Sequence, residues 1–346
     1  MRGSRRCGFS LIELFVALSV ASVLVSLLLV AVQAARERVR QAQCASNLRQ
    51  LSLSIHNFEA IHKCLPKGVE TRLGDDGIAA HYSLWTRILH HMEEGSLASS
   101  LRFNLNPFHP LNSTLVGTNA SPLLRCASDP FSDSHLLSPI GLSQASWSFN
   151  YVGSVGVLGG LVDEVGVSSF SPDAVRFAGV FRQIAGVRTS EVGDGLSSTA
   201  MLSERMIGTS DNPLFRGDAI PFADFPRLPN QFFILDVASP NNLSLNCSGI
   251  PPTHPTWSRS HNRMWYSAEY SYYNHVLPPN SIVSDCSDGL FLGIGVLSAR
   301  SYHGIGSNVG FADGHVSMIS NSIDLVVWRA LGSRNGGEIL ASVLDE

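Results

Sequence analysis

The sequence predicts an α+β protein in which one long N-terminal helix, its first half membrane-spanning, packs on a mostly antiparallel β-sheet domain with long loops. Three observations carry this. Between Phe9 and Val32 the only ionisable side chain is Glu13. Beyond Gln33, apolar or small residues recur at intervals of three and four as far as Phe58. After residue 65 that period gives way to short runs punctuated by all 17 Pro and nearly all 30 Gly residues, which suits strands and turns better than a helical bundle.

The apolar run comes first. As a helix, Phe9 to Val32 would be about 36 Å long at about 1.5 Å per residue, enough for a hydrocarbon core of roughly 30 Å. Arg2, Arg5 and Arg6 precede it without any acid, so the positive-inside bias places residues 1–8 in the cytoplasm and the chain after Gln33 outside it. A secretory signal would be shorter and would end in a small-residue cleavage site. Glu13 is costly there, about 2.5–3.5 kcal/mol on the lenient insertion scale, so it needs a partner.

The helix continues. Ala35, Val39, Ala42, Ala45, Leu48, Leu51, Ile55 and Phe58 form a stripe between Arg36, Arg38, Arg40, Asn47, Arg49 and Gln50, and Pro66 with Gly68 supplies the stop. One helix over residues 9–62 follows, with 9–32 in the membrane and a domain over 63–346. Within that domain the spacing predicts a helix around Trp85 to Glu93 ending at Gly95, a short strand at Leu123 leading into the Asp129-Pro130 turn, and a strand and loop from Trp147. Further strands are expected at Val180–Ile184, Ala200–Leu202 and Gln231–Val237, and Asp194-Gly195 reads as a tight turn. At about 300–335 a hairpin with Asp313-Gly314 at its tip precedes a short helix from Ile323, capped by Asn321 or Ser322 and ended by Gly332.

Net charge is -4 with 15% charged residues, so no nucleic-acid partner is expected. Zincin, nucleophile-elbow and phosphate-loop motifs are missing from the sequence, and a non-enzymatic protein is expected. Six cysteines are present. Cys44 and Cys64 lie on one helix about 30 Å apart, beyond disulfide reach. The pairs expected are Cys247–Cys286, in loop-rich sequence, and Cys44–Cys126, leaving Cys64 as the odd thiol. His303, Asp313 and His315 form a possible metal-ligand set. The reading preferred is that Asp313-Gly314 makes the turn and His303 hydrogen-bonds the hairpin.

The run Gly8-Phe9-Ser10-Leu11-Ile12-Glu13-Leu14 after a basic leader resembles the processing site of type IV prepilins and type II secretion pseudopilins. That resemblance implies a pilin-like fold, cleavage between Gly8 and Phe9 by a prepilin peptidase, methylation of the new Phe9 amine and loss of Cys7. It also implies an assembly role for Glu13 at the fifth mature position. His303, nine residues and Asp313-Gly314, then Trp328-Arg329-Ala330-Leu331-Gly332, resemble the C-terminal domain of a large bacterial family of prepilin-like proteins. Gln43 to Leu51, Cys126-Ala127-Ser128-Asp129-Pro130, and Asp194 to Thr199 with Glu204 match it too, although Ala127 stands where that family often has Pro.

The resemblance implies a structural subunit anchored in the inner membrane, its domain periplasmic or otherwise extracytoplasmic, in a secretion pseudopilus or pilus-like fibre with other pilin-like subunits. No cofactor is expected, though loop-bound Ca in several pseudopilins makes Asp129, Asp133, Asp285 and Asp288 worth following. Two other readings stay open. One is a membrane-tethered module that binds glycan or protein through Trp257, Trp265, Tyr266, Tyr270, Tyr272 and Tyr273. The other is an envelope metal-dependent hydrolase built on His303, Asp313 and His315.

Overall fold

The computed structural model describes residues 10–75, 77, 79–130, 135–137, 145–157, 177–182, 185–207, 219–221, 265–268, 271–283, 285–287 and 295–337. Helix α1 (Leu11–His62) runs unbroken for 52 residues, about 78 Å at about 1.5 Å per residue. The Glu13 carboxylate accepts the Ser10 N–H at 2.9 Å, satisfying one orphan donor of the first turn. At the other end Lys63 turns left-handed and its N–H reaches the Glu59 carbonyl at 2.7 Å.

Only the second half of α1 is packed. Cys44, Leu48, Leu51, Ile55 and Phe58 are buried on one face, at the alternating spacing of four and three that keeps side chains in register on a helix. Ala35, Val39 and Ala42, expected on the same stripe, are exposed. At 3.6 residues per turn these three positions lie on the side of the helix away from Cys44 and Leu48, which face the domain. Further towards the N-terminus the large apolar side chains, Leu11 to Val32, are exposed.

In chain order the domain follows with β1 (Val69–Leu73), β2 (Ala79–Ser83), α2 (Leu84–Ile88), α3 (Gly95–Ser100) and α4 (Pro110–Thr118). Then come β3 (His135–Leu137), β4 (Ala145–Trp147), β5 (Tyr151–Ser154), β6 (Ala200–Glu204), β7 (Ala219–Pro221) and β8 (Tyr272–Tyr273). The chain finishes with β9 (Asp285–Ser287), β10 (Gly295–Val296), β11 (Gly306–Phe311), β12 (Val316–Ser320) and α5 (Leu325–Gly332). The central sheet has the order β12-β11-β6-β5-β8. Every pairing in it is antiparallel except β5 with β8. A smaller sheet, β10-β9-β7, lies apart in the hydrogen-bonding order.

Helix α1 lies across β11. A Cβ on Gly310 would stand 3.3 Å from the Ser52 hydroxyl oxygen, so the absence of a side chain there lets helix and strand approach closely. Val309 and Phe311 alternate with Asn308 and Gly310, and both faces of β11 are buried. It is an internal strand with polar contacts on the helix side.

Several local expectations are corrected. Gly95 opens α3 instead of ending a helix, because Glu93 takes the left-handed cap at φ 63°. Leu123 lies in a 3₁₀ turn that starts at Pro122 under the Ser121 cap, not in a strand. Of the strand expected over Val180–Ile184, the last two residues lie outside the described ones and 180–182 are not in a strand, although the Phe181 N–H donates to the Ser154 carbonyl of β5. Helix α5 is capped by Asp324, whose carboxylate accepts the Val326 and Val327 N–H groups, and it includes Gly332. Trp265, Tyr266, Tyr272 and Tyr273, candidates for a binding surface, are buried core residues. Gln231–Val237, Trp257 and Tyr270 lie outside the described residues.

The hairpin tip follows the three-residue pattern in which a type I turn ends on a left-handed glycine. The Gly314 N–H donates to the Phe311 carbonyl, and the Phe311 N–H to that of His315, both at 2.9 Å. Gly314 has φ +93° and a Cβ there would meet only the His56 ring at 3.5 Å. Gly314→Val should therefore cost about 1–2 kcal/mol through backbone strain alone, read as a lower melting temperature. An unchanged melting temperature would refute the turn.

A second buried site predicts a pH response. The His275 ring stacks on Trp328 at 4.0 Å, its Nδ1 facing the Trp328 carbonyl at 2.8 Å and its Nε2 the Tyr273 hydroxyl at 3.1 Å. Burial holds this imidazole at about 3, against an ordinary 6.5, although the bond to Trp328 works the other way. The folded value is the lower one, so the stabilisation is complete above the ordinary value and is lost as pH falls. Between about pH 6.5 and about pH 3 the slope should be about 1.4 kcal/mol per pH unit. Urea unfolding from pH 7.5 to pH 5 should show that extra acid lability in the parent and its loss in His275→Gln.

A buried histidine-carboxylate clamp at the base of the helix

On β5, β6 and β11 three polar side chains form a row beneath α1. Tyr151 pairs with Glu204, and Asn308 lies one step beyond the Val309–Ser203 pair, so it stands beside Glu204. The Asn308 backbone N–H reaches Glu204 Oε2 at 3.0 Å and its Nδ2 reaches Oε1 at 2.9 Å. The Tyr151 hydroxyl donates to the Cys44 carbonyl of α1 at 3.3 Å. Burial, and then the nearby Glu204 charge, pushes this phenol well above its usual range.

His303, in the segment entering β11, completes the site. Its Nε2 faces Glu204 Oε1 at 3.3 Å and its Nδ1 faces Glu37 Oε1 on α1 at 2.9 Å. The facing oxygens are carboxylate acceptors, so both ring nitrogens are satisfied at once only by the doubly protonated ring. Burial alone would push the imidazole down, but the two carboxylates outweigh it and raise it above its ordinary value. Burial likewise raises Glu37, yet the bonds from His303 and Ser128 leave it below the usual range. The Ser128 hydroxyl donates to the same Glu37 oxygen at 2.8 Å.

A covalent link stands alongside. Cys44 on α1 and Cys126, 82 positions apart in sequence, are joined by a disulfide with Cα atoms 5.1 Å apart. Closing a loop of that length removes about 4–5 kcal/mol of unfolded-state entropy in the chain-entropy model. Cys126 Sγ lies 3.8 Å from His303 Nε2. Asn47 adds a bond from its Nδ2 to the Arg125 carbonyl at 2.9 Å. The helix is thus tied to the domain at its exit by a disulfide, a side-chain amide hydrogen bond and an ion bridge.

Other predicted residues fall elsewhere. Asp313 and His315 bond to each other at 2.6 Å on the exposed hairpin tip. The six residues of β11 separate them from His303, roughly 20 Å of strand at about 3.4 Å per residue. The three do not form a metal-ligand set. Asp285 accepts from Arg205 at 2.9 Å and from Arg300 at 3.0 and 3.1 Å, while Asp129 accepts from Asn150 and the Ile207 N–H. Asp133 and Asp288 lie outside the described residues, as do Gly8, Phe9 and Cys247, and with Cys247 the pairing expected for Cys286 of β9. Cys64 is a free thiol. Glu13 is exposed on the first turn of α1.

Sequence reasoning singled out His303 and, through a motif, Glu204, but it missed Glu37 and Asn308. One signal was present: Glu204 is an acid ending the apolar run Ala200–Leu202, which places a carboxylate where a strand is buried.

The two carboxylates differ in exposure, and that orders the effect of mutation. His303→Leu leaves Glu204 buried without its cation and should cost about 3–5 kcal/mol. The Glu37 side chain is 37% exposed, so Glu37→Gln should cost about 1 kcal/mol or less. Urea unfolding of the detergent-solubilised chain measures both. Equal losses would mean that the bridge to the helix, not the buried charge, carries the energy.

No curated protein and no solved structure matches this chain. The model of the family described as "Protein of unknown function (DUF1559)" matches residues 33–326, a span that holds Glu37, Cys44, Cys126, Glu204, His303 and the hairpin tip. The chain belongs to that family.

Proposed function

We propose that this protein is a membrane-anchored, pseudopilin-like structural subunit without enzymatic activity. A prepilin peptidase cleaves it after Gly8 and methylates Phe9, and it joins other pilin-like subunits in a type II secretion pseudopilus or type IV pilus-like fibre. Residues 1–8 face the cytoplasm and the domain lies beyond the inner membrane. The observation that carries this reading is the division of α1: one continuous helix whose apolar half touches nothing else in the described chain and whose other half is locked to a folded domain. A plain anchor needs no such rigid continuity, whereas a fibre subunit does, because helix packing in a core sets where each domain sits.

Glu13 supplies the test. Phe9 and Glu13 are four apart and so share a helix face. Cleavage would create a cationic amine on Phe9, and the same amine on a neighbouring subunit would neutralise the acid and offset the cost of placing it in the bilayer. Glu13→Leu should be inserted and cleaved normally, with the mature N-terminus at Phe9 by mass analysis, yet fail to cross-link into the parent's oligomers. If it cross-links as the parent does, the charge does not set the register and an anchoring role alone remains.

A further inference from the structure

The geometry points to a redox-gated site for a divalent transition metal of the zinc type at the base of α1, with Cys44, Cys126, Glu204 and His303 as its ligands. It goes beyond the structural role proposed above and does not depend on it. One donor atom from each of the four lies within 4.8 Å of the others, and all four residues are buried. Donors about 2.0–2.3 Å from a tetrahedral zinc ion stand roughly 3.3–3.8 Å from one another. His303 Nε2 is 3.3 Å from Glu204 Oε1 and 3.8 Å from Cys126 Sγ, which is itself 4.0 Å from that Glu204 oxygen. These edges already approximate the faces of such a tetrahedron. The edge between the sulfurs does not, because it is a covalent bond, and the Cys44 sulfur lies within 4.8 Å of the His303 and Glu204 donors.

Two further features belong to a metal centre more than to a packed disulfide. A ligating histidine typically gives its other N–H to a carboxylate, and His303 Nδ1 faces Glu37 Oε1 at 2.9 Å. A ligating carboxylate is typically fixed by hydrogen bonds of its own, and Glu204 takes two from Asn308, at 2.9 and 3.0 Å. The outer shell is therefore in place around the disulfide form. Opening the site needs the S–S bond broken. A dithiol reductant attacks one sulfur, forms a mixed disulfide and leaves as its own cyclic disulfide, so the chain gains two electrons and two protons as two thiols. The incoming cation then displaces those two protons and the Nε2 proton of His303 to solvent, while Nδ1 of His303 keeps its proton and donates it to Glu37. Disulfide and metal are alternative ways of closing the same junction.

The test uses the full chain in detergent with Co²⁺ as probe. After treatment with a dithiol and its removal under inert gas, the parent should bind one Co²⁺ at this site, with thiolate charge-transfer absorption and the d–d bands of a tetrahedral ion. The oxidised parent should give neither signal, nor should reduced Cys44→Ser/Cys126→Ser, which keeps every other cysteine. Glu37→Gln should retain the spectrum but bind about 10–100-fold more weakly, an effect that loss of folding would not mimic. Circular dichroism follows the fold throughout. If the reduced chain unfolds and Co²⁺ restores both fold and spectrum, the proposal stands. It is overturned if reduced chain, folded or not, takes up no Co²⁺, or if the double serine variant gives the same spectrum.

Discussion

The structure depends on one junction, the place where a helix far longer than its domain leaves it. A helix of 52 residues that is packed only from about Glu37 onward acts as a lever, and any tilt at the exit becomes a large displacement at Leu11. Apolar packing alone is a poor restraint there, since it is non-directional and tolerates sliding by a turn. The disulfide between Cys44 and Cys126 and the bridge from Glu37 through His303 to Glu204 are directional. They fix both the rotation of α1 about its axis and its height over the sheet, and the stripe from Leu48 to Phe58 supplies the burial that makes the docking favourable.

The same strand end organises a second buried charge group. Glu204 and Arg205 are consecutive, so their side chains leave β6 on opposite sides. Glu204 meets His303 under α1, and Arg205 meets Asp285 of β9. The returning segment serves both, with Arg300 donating to Asp285 and His303 facing Glu204. The Arg300 N–H also donates to the Glu204 carbonyl at 2.9 Å. A short stretch before β11 therefore supplies the cation to two acids that belong to different sheets. Buried pairs of this kind add little net stability over an apolar replacement, but breaking one partner is costly, so their effect is to make misassembled arrangements expensive.

Much of the fold was legible because it is written in local periods. The long helix, its stop at Pro66, the Asp313-Gly314 tip and the pairing of Cys44 with Cys126 could be named from spacing, turn chemistry or resemblance. Where two local rules competed, the reading failed. Gly95 looked like a helix end, yet Glu93 took the left-handed position two residues earlier. Pro110 and Pro122 each sit in the first turn of a helix, where a missing N–H costs nothing. The clamp was largely invisible for a different reason. Glu37 and His303 are 266 positions apart, and no periodicity ties a partly exposed acid on a helix to a histidine at the far end of the chain.

The nine-residue spacing in the His303–Asp313 motif now has a physical meaning, and it is not that of a ligand set. It measures β11. His303 lies before the strand at the base of α1, and Asp313-Gly314 lies beyond it at the turn, where the Asp313 N–H donates to the Leu196 carbonyl. Between them Asn308 must face Glu204 and Gly310 must face Ser52, and both are on the same side because strand side chains alternate. One residue more or fewer would exchange the faces. Val309 would then be driven into the helix at the position that only Gly310 leaves open, and Glu204 would lose both Asn308 donors. Fixed spacing here reflects a strand held at both ends, with the clamp setting one end and the turn the other.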